Sequence, residues 1–126
     1  MTWQTNVIIQ QNIKGRKLIV YGAGDIAFNN FTKLKFPIEF FVTSFAKENE
    51  KFMDKPVYNW DSLQKQGEMK PSDYYIVILV NAQNTDISEK IQNAGFEKYE
   101  DFVYYAQKLY PFDIIFNNIK VGRHTG

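Results

Sequence analysis

Gly22-Ala23-Gly24-Asp25-Ile26-Ala27 is a stretch whose residue types and spacing suit ligand chemistry. It matches G-x-G-x-x-A. The first glycine permits a tight turn, the second lets a ligand approach the backbone, and a small sixth residue lets a helix pack closely on a strand. The helix that follows offers unpaired N–H groups and a positive dipole end to a pyrophosphate. Asp25 works against this, because a carboxylate competes with phosphate for the same N–H groups. It suits a sugar hydroxyl or a water instead. The alternative is that these glycines serve only a sharp strand-to-helix turn.

A nicotinamide site also needs Asp or Glu at the end of the second strand, about 20 residues on, to hold the ribose hydroxyls. That place is Val42-Thr43-Ser44-Phe45, where Thr43 and Ser44 make single hydrogen bonds but cannot replace a bidentate carboxylate. No Arg stands there for a 2′-phosphate, and the nearest basic residue is Lys47. NAD is therefore not the expected ligand. Asn81-Ala82-Gln83-Asn84, after a strongly apolar strand, forms the other candidate wall, with amides suited to a base edge or sugar hydroxyls. The same residues also suit a helix-capping turn. The expected ligand set is Gly22, Ala23, Gly24, Asp25, Ile26, Thr43, Ser44, Asn81, Ala82 and Gln83.

No catalytic or metal-binding residue is expected. The chain lacks cysteine, which removes disulfides, thiolate catalysis and cysteine-ligated zinc. Its one histidine, His124, stands three residues from the last, and a metal site needs more ligands than that. Tyr104 with Lys108 is the nearest Tyr/Lys acid–base pair, but it lies on an expected late helix without a Ser partner.

The elements that would position the turn are legible as periodicity. Lys17 to Tyr21 is a continuous apolar run, as in a strand buried on both faces of a parallel sheet. A helix over Asp25 to Lys35, with Ile26, Phe31 and Leu34 inward, is closed by Pro37. Ile38 to Val42 is a second buried strand, completing a βαβ unit. Lys55 to Tyr58 reads as a third strand. Asn59 or Asp61 caps a helix carrying Trp60 and Leu63 that stops at Gly67. Tyr74 to Val80 is the strongest strand, and Asp86-Ile87-Ser88-Glu89 has capping-box spacing before a helix with Ile87, Ile91 and Ala94 on one face. Gly95 follows that helix. Phe96 to Tyr99 reads as a last strand, and Asp101 as the cap of a final helix to Leu109.

This alternation predicts an α/β fold, a small Rossmann-like three-layer α/β/α domain with a mostly parallel sheet of four to five strands. Residues 1–15 form an N-terminal arm or helix, 16–110 the binding domain, and 111–126 a tail. At 126 residues, 44% hydrophobic and 23% charged, the chain fits one globular domain. A net charge of +1 with interleaved signs gives no basic stripe for nucleic acid. No apolar run is long enough to span a bilayer, and the N-terminus lacks secretory signal pattern, so a cytoplasmic protein is expected.

Lys17 to Gly24, Phe40-Phe41-Val42, Lys55-Pro56-Val57, Tyr74 to Val80 and Asn93-Ala94-Gly95-Phe96 together give a layout that resembles the N-terminal Rossmann-like domain of bacterial sugar O-/N-acyltransferases of the hexapeptide-repeat type, and related polysaccharide-biosynthesis proteins. It departs at Thr43, where that family usually carries Asp. Ile119-Lys120-Val121-Gly122-Arg123-His124-Thr125 is similar to the first coil of a left-handed β-helix in those enzymes. The resemblance implies a non-catalytic module that binds a nucleotide-sugar or sugar phosphate, within a homo-oligomer or beside a fused or associated acyltransferase domain. Two other functions stay open: an NAD-dependent nucleotide-sugar oxidoreductase or epimerase, and an interaction domain with a vestigial crevice. A methyltransferase is disfavoured, since the first strand has no acidic residue before its glycines.

Overall fold

The apolar runs that define the sheet are Lys17–Tyr21 (β1), Ile38–Thr43 (β2) and Tyr74–Ile78 (β5). In β1, four consecutive residues after Lys17 are buried, which is the signature of a strand covered on both faces. The computed structural model describes residues 2–80 and 85–105. Lys51–Phe52 (β3), Lys55–Asn59 (β4) and Phe102–Tyr104 (β6) complete a six-stranded sheet in the order β3-β4-β2-β1-β5-β6. All pairings are parallel except β3 with β4. Four α-helices accompany it among the described residues, Thr2–Asn12 (α1), Asp25–Asn30 (α2), Trp60–Gln66 (α3) and Thr85–Asn93 (α4), so the fold is mixed α/β with a mostly parallel sheet.

Alternate strand residues feed two separate cores. Leu18, Val20, Phe41 and Val77 pack with Ile8 and Ile9 of α1 and Ala27 of α2. Ile19, Tyr21, Phe40 and Ile76 pack with Trp60 and Leu63 of α3 and Ile87 and Ile91 of α4. Burying this much apolar side chain on each face is what holds the sheet flat against its helices.

Several helix ends follow local chemistry as read from the chain. The Asn59 side chain accepts a hydrogen bond from Ser62 N–H at 3.1 Å, and Gly67 ends α3 in the left-handed conformation at φ 70°. The helix expected to Lys35 is shorter: α2 stops at Asn30 and one 3₁₀ turn, Phe31–Lys33, follows. Asn30 donates from its side chain back to Ile26 O, while Asn6 of α1 takes the freed ends, donating to Lys33 O and accepting from Lys35 N–H. Ile26, expected inward, is partly exposed, and Ala27 occupies the core.

The sheet has six strands where four to five are expected. The missed β3 forms a hairpin with β4 through Met53 and Asp54, both at positive φ. That conformation usually carries an Asn-Gly signature, which this turn lacks. Phe96 to Tyr99 is not a strand, apart from a single bridge at Lys98. Asp101 N–H donates to Glu97 O and Tyr99 N–H to Phe102 O, closing a tight turn. Residues 102–104, expected within a helix, are β6 instead, paired with Ile76 to Ile78. The rest of that expected helix, and the tail 111–126 with His124, lie outside the described residues.

Tyr75 in β5 is fully buried, with its hydroxyl donating to Tyr99 O at 2.7 Å and Arg16 over its ring. Burial pushes its phenol far above the usual range; the Arg16 charge opposes this, and Asp101 and Tyr99 add to it. Tyr21 is raised as well, first by burial. Both phenols ionise less readily folded than unfolded, so their contribution to stability is present below about pH 10 and lost as pH rises beyond it. Urea midpoints are expected to fall between pH 8 and pH 11, and to fall less in a Tyr21→Phe, Tyr75→Phe variant; equal losses in both proteins would refute the assignment.

Candidate functional site

β1 ends at Tyr21, and Gly22 N–H donates to Val42 O at 2.8 Å, so the turn begins while still paired with β2. Gly22 has φ 131°, and a Cβ there would sit 2.4 Å from the Leu79 carbonyl oxygen. The first glycine of the motif is thus required by the close approach of the segment that continues β5. Gly24 differs: a Cβ would meet nothing within 4 Å. The protein's own packing does not require a glycine there, which leaves its bare backbone facing free space.

A cavity of about 520 Å³ opens beside this turn, at the carboxyl ends of β1, β2 and β5. Of the expected ligand set, Gly22, Ala23, Thr43 and Ser44 line it. Gly24, Asp25 and Ile26 follow in the chain, exposed and outside the lining. α2 itself is only six residues long, and Asp25 occupies its first turn. Asn81, Ala82 and Gln83 lie outside the described residues.

The cavity is completed by residues outside the expected ligand set: Tyr21, Phe45, Asp61, Val80, Asp86, Ile87 and Lys90. Two of them, Tyr21 and Lys90, form a polar chain with Ser44. The Ser44 hydroxyl is 2.5 Å from the Tyr21 hydroxyl, and Lys90 Nζ donates to Ser44 Oγ at 3.1 Å. β1, the end of β2 and α4 each supply one member. Asn59 fixes the middle one by donating to the Ser44 and Ala46 carbonyls while capping α3. Thr43 Oγ1 is occupied by Phe45 N–H at 3.2 Å.

This chain of groups is rich in donors. An ammonium has three N–H donors and a hydroxyl one. One Lys90 donor goes to Ser44, and one hydroxyl proton is shared between Ser44 and Tyr21. Two ammonium donors and one hydroxyl proton remain for a ligand. The chain is poor in bases, because burial holds the Tyr21 phenol above its usual range, the Ser44 hydrogen bond opposing and the Asp61 charge adding to the rise. Such a group binds an acceptor better than it removes a proton.

Asp61 and Asp86 supply acceptors elsewhere in the lining, suited to hydroxyls. Phe45, 87% exposed, lies at the cavity with a free ring face. Tyr104, expected to pair with Lys108 on a helix, stands on β6. Among the described residues no group of three or more His, Asp or Glu could hold a metal ion, and no helix is long and apolar enough to cross a membrane. No protein-family model, curated protein or solved structure matches this chain.

Proposed function

We propose that this cavity holds a nucleotide-sugar, or its sugar phosphate, and that the domain is a non-catalytic binding module on a Rossmann-like, three-layer scaffold. The order β4-β2-β1-β5-β6 supports the scaffold, since it reverses direction between β1 and β5 as dinucleotide-binding sheets do. Ligands in open α/β sheets bind outside the carboxyl ends of the strands at such a reversal. The observation that carries the reading is the Lys90–Ser44–Tyr21 chain, three donors offered to a phosphate from the cavity wall. Lys90 takes over the role expected of the helix start. Asp61 and Asp86 accept from sugar hydroxyls, and Phe45 gives the base a stacking face. The module presents its ligand to an acyltransferase domain, fused or associated, in the cytoplasm.

Thermal shift against UDP-sugars, UDP, NAD and coenzyme A tests this, because a ligand that binds only the folded state raises Tm. UDP-sugars at millimolar concentration are expected to raise it and NAD to leave it unchanged. Lys90→Met removes a charge-assisted contact and is expected to weaken UDP-sugar binding about tenfold or more. A response to NAD alone, or to nothing, rejects the reading.

A further inference from the structure

A second cavity, of about 440 Å³, shares no lining residue with the first. It lies between the sheet and the later part of α3. Its size falls within the roughly 300–1,000 Å³ of small-molecule sites. Three strands each bring an aromatic ring to it: Phe40 from β2, Tyr58 from β4 and Tyr74 from β5. The Phe40 ring centre is 4.9 Å from that of Tyr58 at 83°, and 5.6 Å from that of Tyr74 at 68°. Rings set this steeply to one another turn π faces, with their negative quadrupole, toward more than one side of the space. Tyr58 is 43% exposed and Tyr74 is only half-buried, so both remain open to a ligand.

The charges in the lining have one sign. Glu39 and Glu68 contribute to it, and no Lys or Arg does, in a chain with 15 basic and 14 acidic residues. Glu39 is shared with Lys17 at 3.6 Å, both side chains being largely exposed, which makes that pair weak. Among the described residues no cation lies within 4.0 Å of Glu68. Met69 adds a polarizable thioether to the wall. A hard metal ion needs a cage of oxygens, which rings do not supply. Ring faces with an uncompensated carboxylate instead suit a weakly hydrated cation.

We propose that this cavity is a binding site for a small organic cation with a quaternary or N-methylated ammonium head. The cation sits against the faces of Tyr58 and Tyr74, with Glu68 as its counter-ion. The site is independent of the glycine-turn cavity.

The test is a titration of the full chain with choline and with 3,3-dimethylbutan-1-ol, its neutral isostere, followed by amide chemical shifts in 1H–15N spectra. Choline is expected to perturb Tyr58, Glu68, Met69 and Tyr74 saturably, and to bind about fivefold or more tighter than the alcohol, since only the charge differs. Potassium chloride at equal concentration is expected to leave those amides unmoved. Glu68→Gln, at an exposed position, is expected to weaken choline about threefold without changing Tm, and Tyr74→Leu to weaken it about tenfold. Equal affinity for choline and the alcohol overturns the proposal. So does the absence of saturable shifts up to about 100 mM choline, or binding indifferent to both substitutions. The Tm response to UDP-sugars in Glu68→Gln reports separately on the first cavity.

Discussion

Gly22→Ala is expected to destabilise the domain by about 3 kcal/mol or more, a large part of the roughly 5–15 kcal/mol typical of a domain. Two costs combine. Gly22 has φ 131°, which L residues rarely adopt, and strain of that kind costs about 1–3 kcal/mol. The new methyl would also stand 2.4 Å from the Leu79 carbonyl oxygen and 2.9 Å from Val80 Cγ1. The first of these is backbone in the segment that continues β5, where Leu79 N–H donates to Tyr21 O at 2.9 Å, so relief requires separating β1 from β5. Gly24→Ala is the matched control: its φ is −101° and open space surrounds the position, so a change within about 0.5 kcal/mol is expected. Urea unfolding of both variants checks the pair. Similar losses would mean that the two glycines share one structural role.

Arg16→Met is expected to cost about 3–5 kcal/mol, the range for breaking a buried ion pair from one side. Arg16 Nη1 meets Asp101 Oδ1 at 2.8 Å, with the two side chains 12% and 13% exposed. The guanidinium also donates to the carbonyls of Asn12, Ile13, Pro71 and Glu100. It thereby joins the end of α1, the approach to β5 and the turn before β6. Removing it strands the Asp101 carboxylate, which retains only Glu97 N–H at 2.8 Å among its named partners. Arg16→Lys is expected to recover less than half of the loss, because an ammonium cannot serve so many fixed acceptors. Asp101→Asn should be costly alone, yet add little to Arg16→Met. Urea unfolding of the four proteins measures that coupling, and additive losses would remove the pair from the account.

Much of the framework is written in local pattern. The apolar runs at 17–21, 38–42 and 74–78 are strands because only an extended segment covered on both faces buries consecutive side chains, as Leu18 to Tyr21, Phe40 to Val42 and Tyr75 to Ile78 are. Asn59 and Gly67 bound α3 because capping depends on residues within one turn. Gly22 and Ala23 were legible as a turn for the same reason. Asp101 shows where local pattern misleads. It has the chemistry of a helix cap, but it is recruited by Arg16, 85 residues earlier, and by Glu97, and the chain enters β6 instead.

The polar heart of the cavity was likewise beyond local reading. Tyr21 ends an apolar strand run, and no residue near Lys90 in the chain marks it as a ligand. The 23-residue separation of Tyr21 from Ser44 closes because β2 pairs with β1, and the 46-residue separation of Lys90 because β5 takes the other side of β1 and brings α4 onto the sheet face. Sequence alone determined the strands β1, β2, β4 and β5, where α3 is capped and which turn is tight. Tertiary structure decided strand order, and with it which hydroxyl meets which ammonium, because such contacts depend on packing between segments that no neighbouring residue encodes.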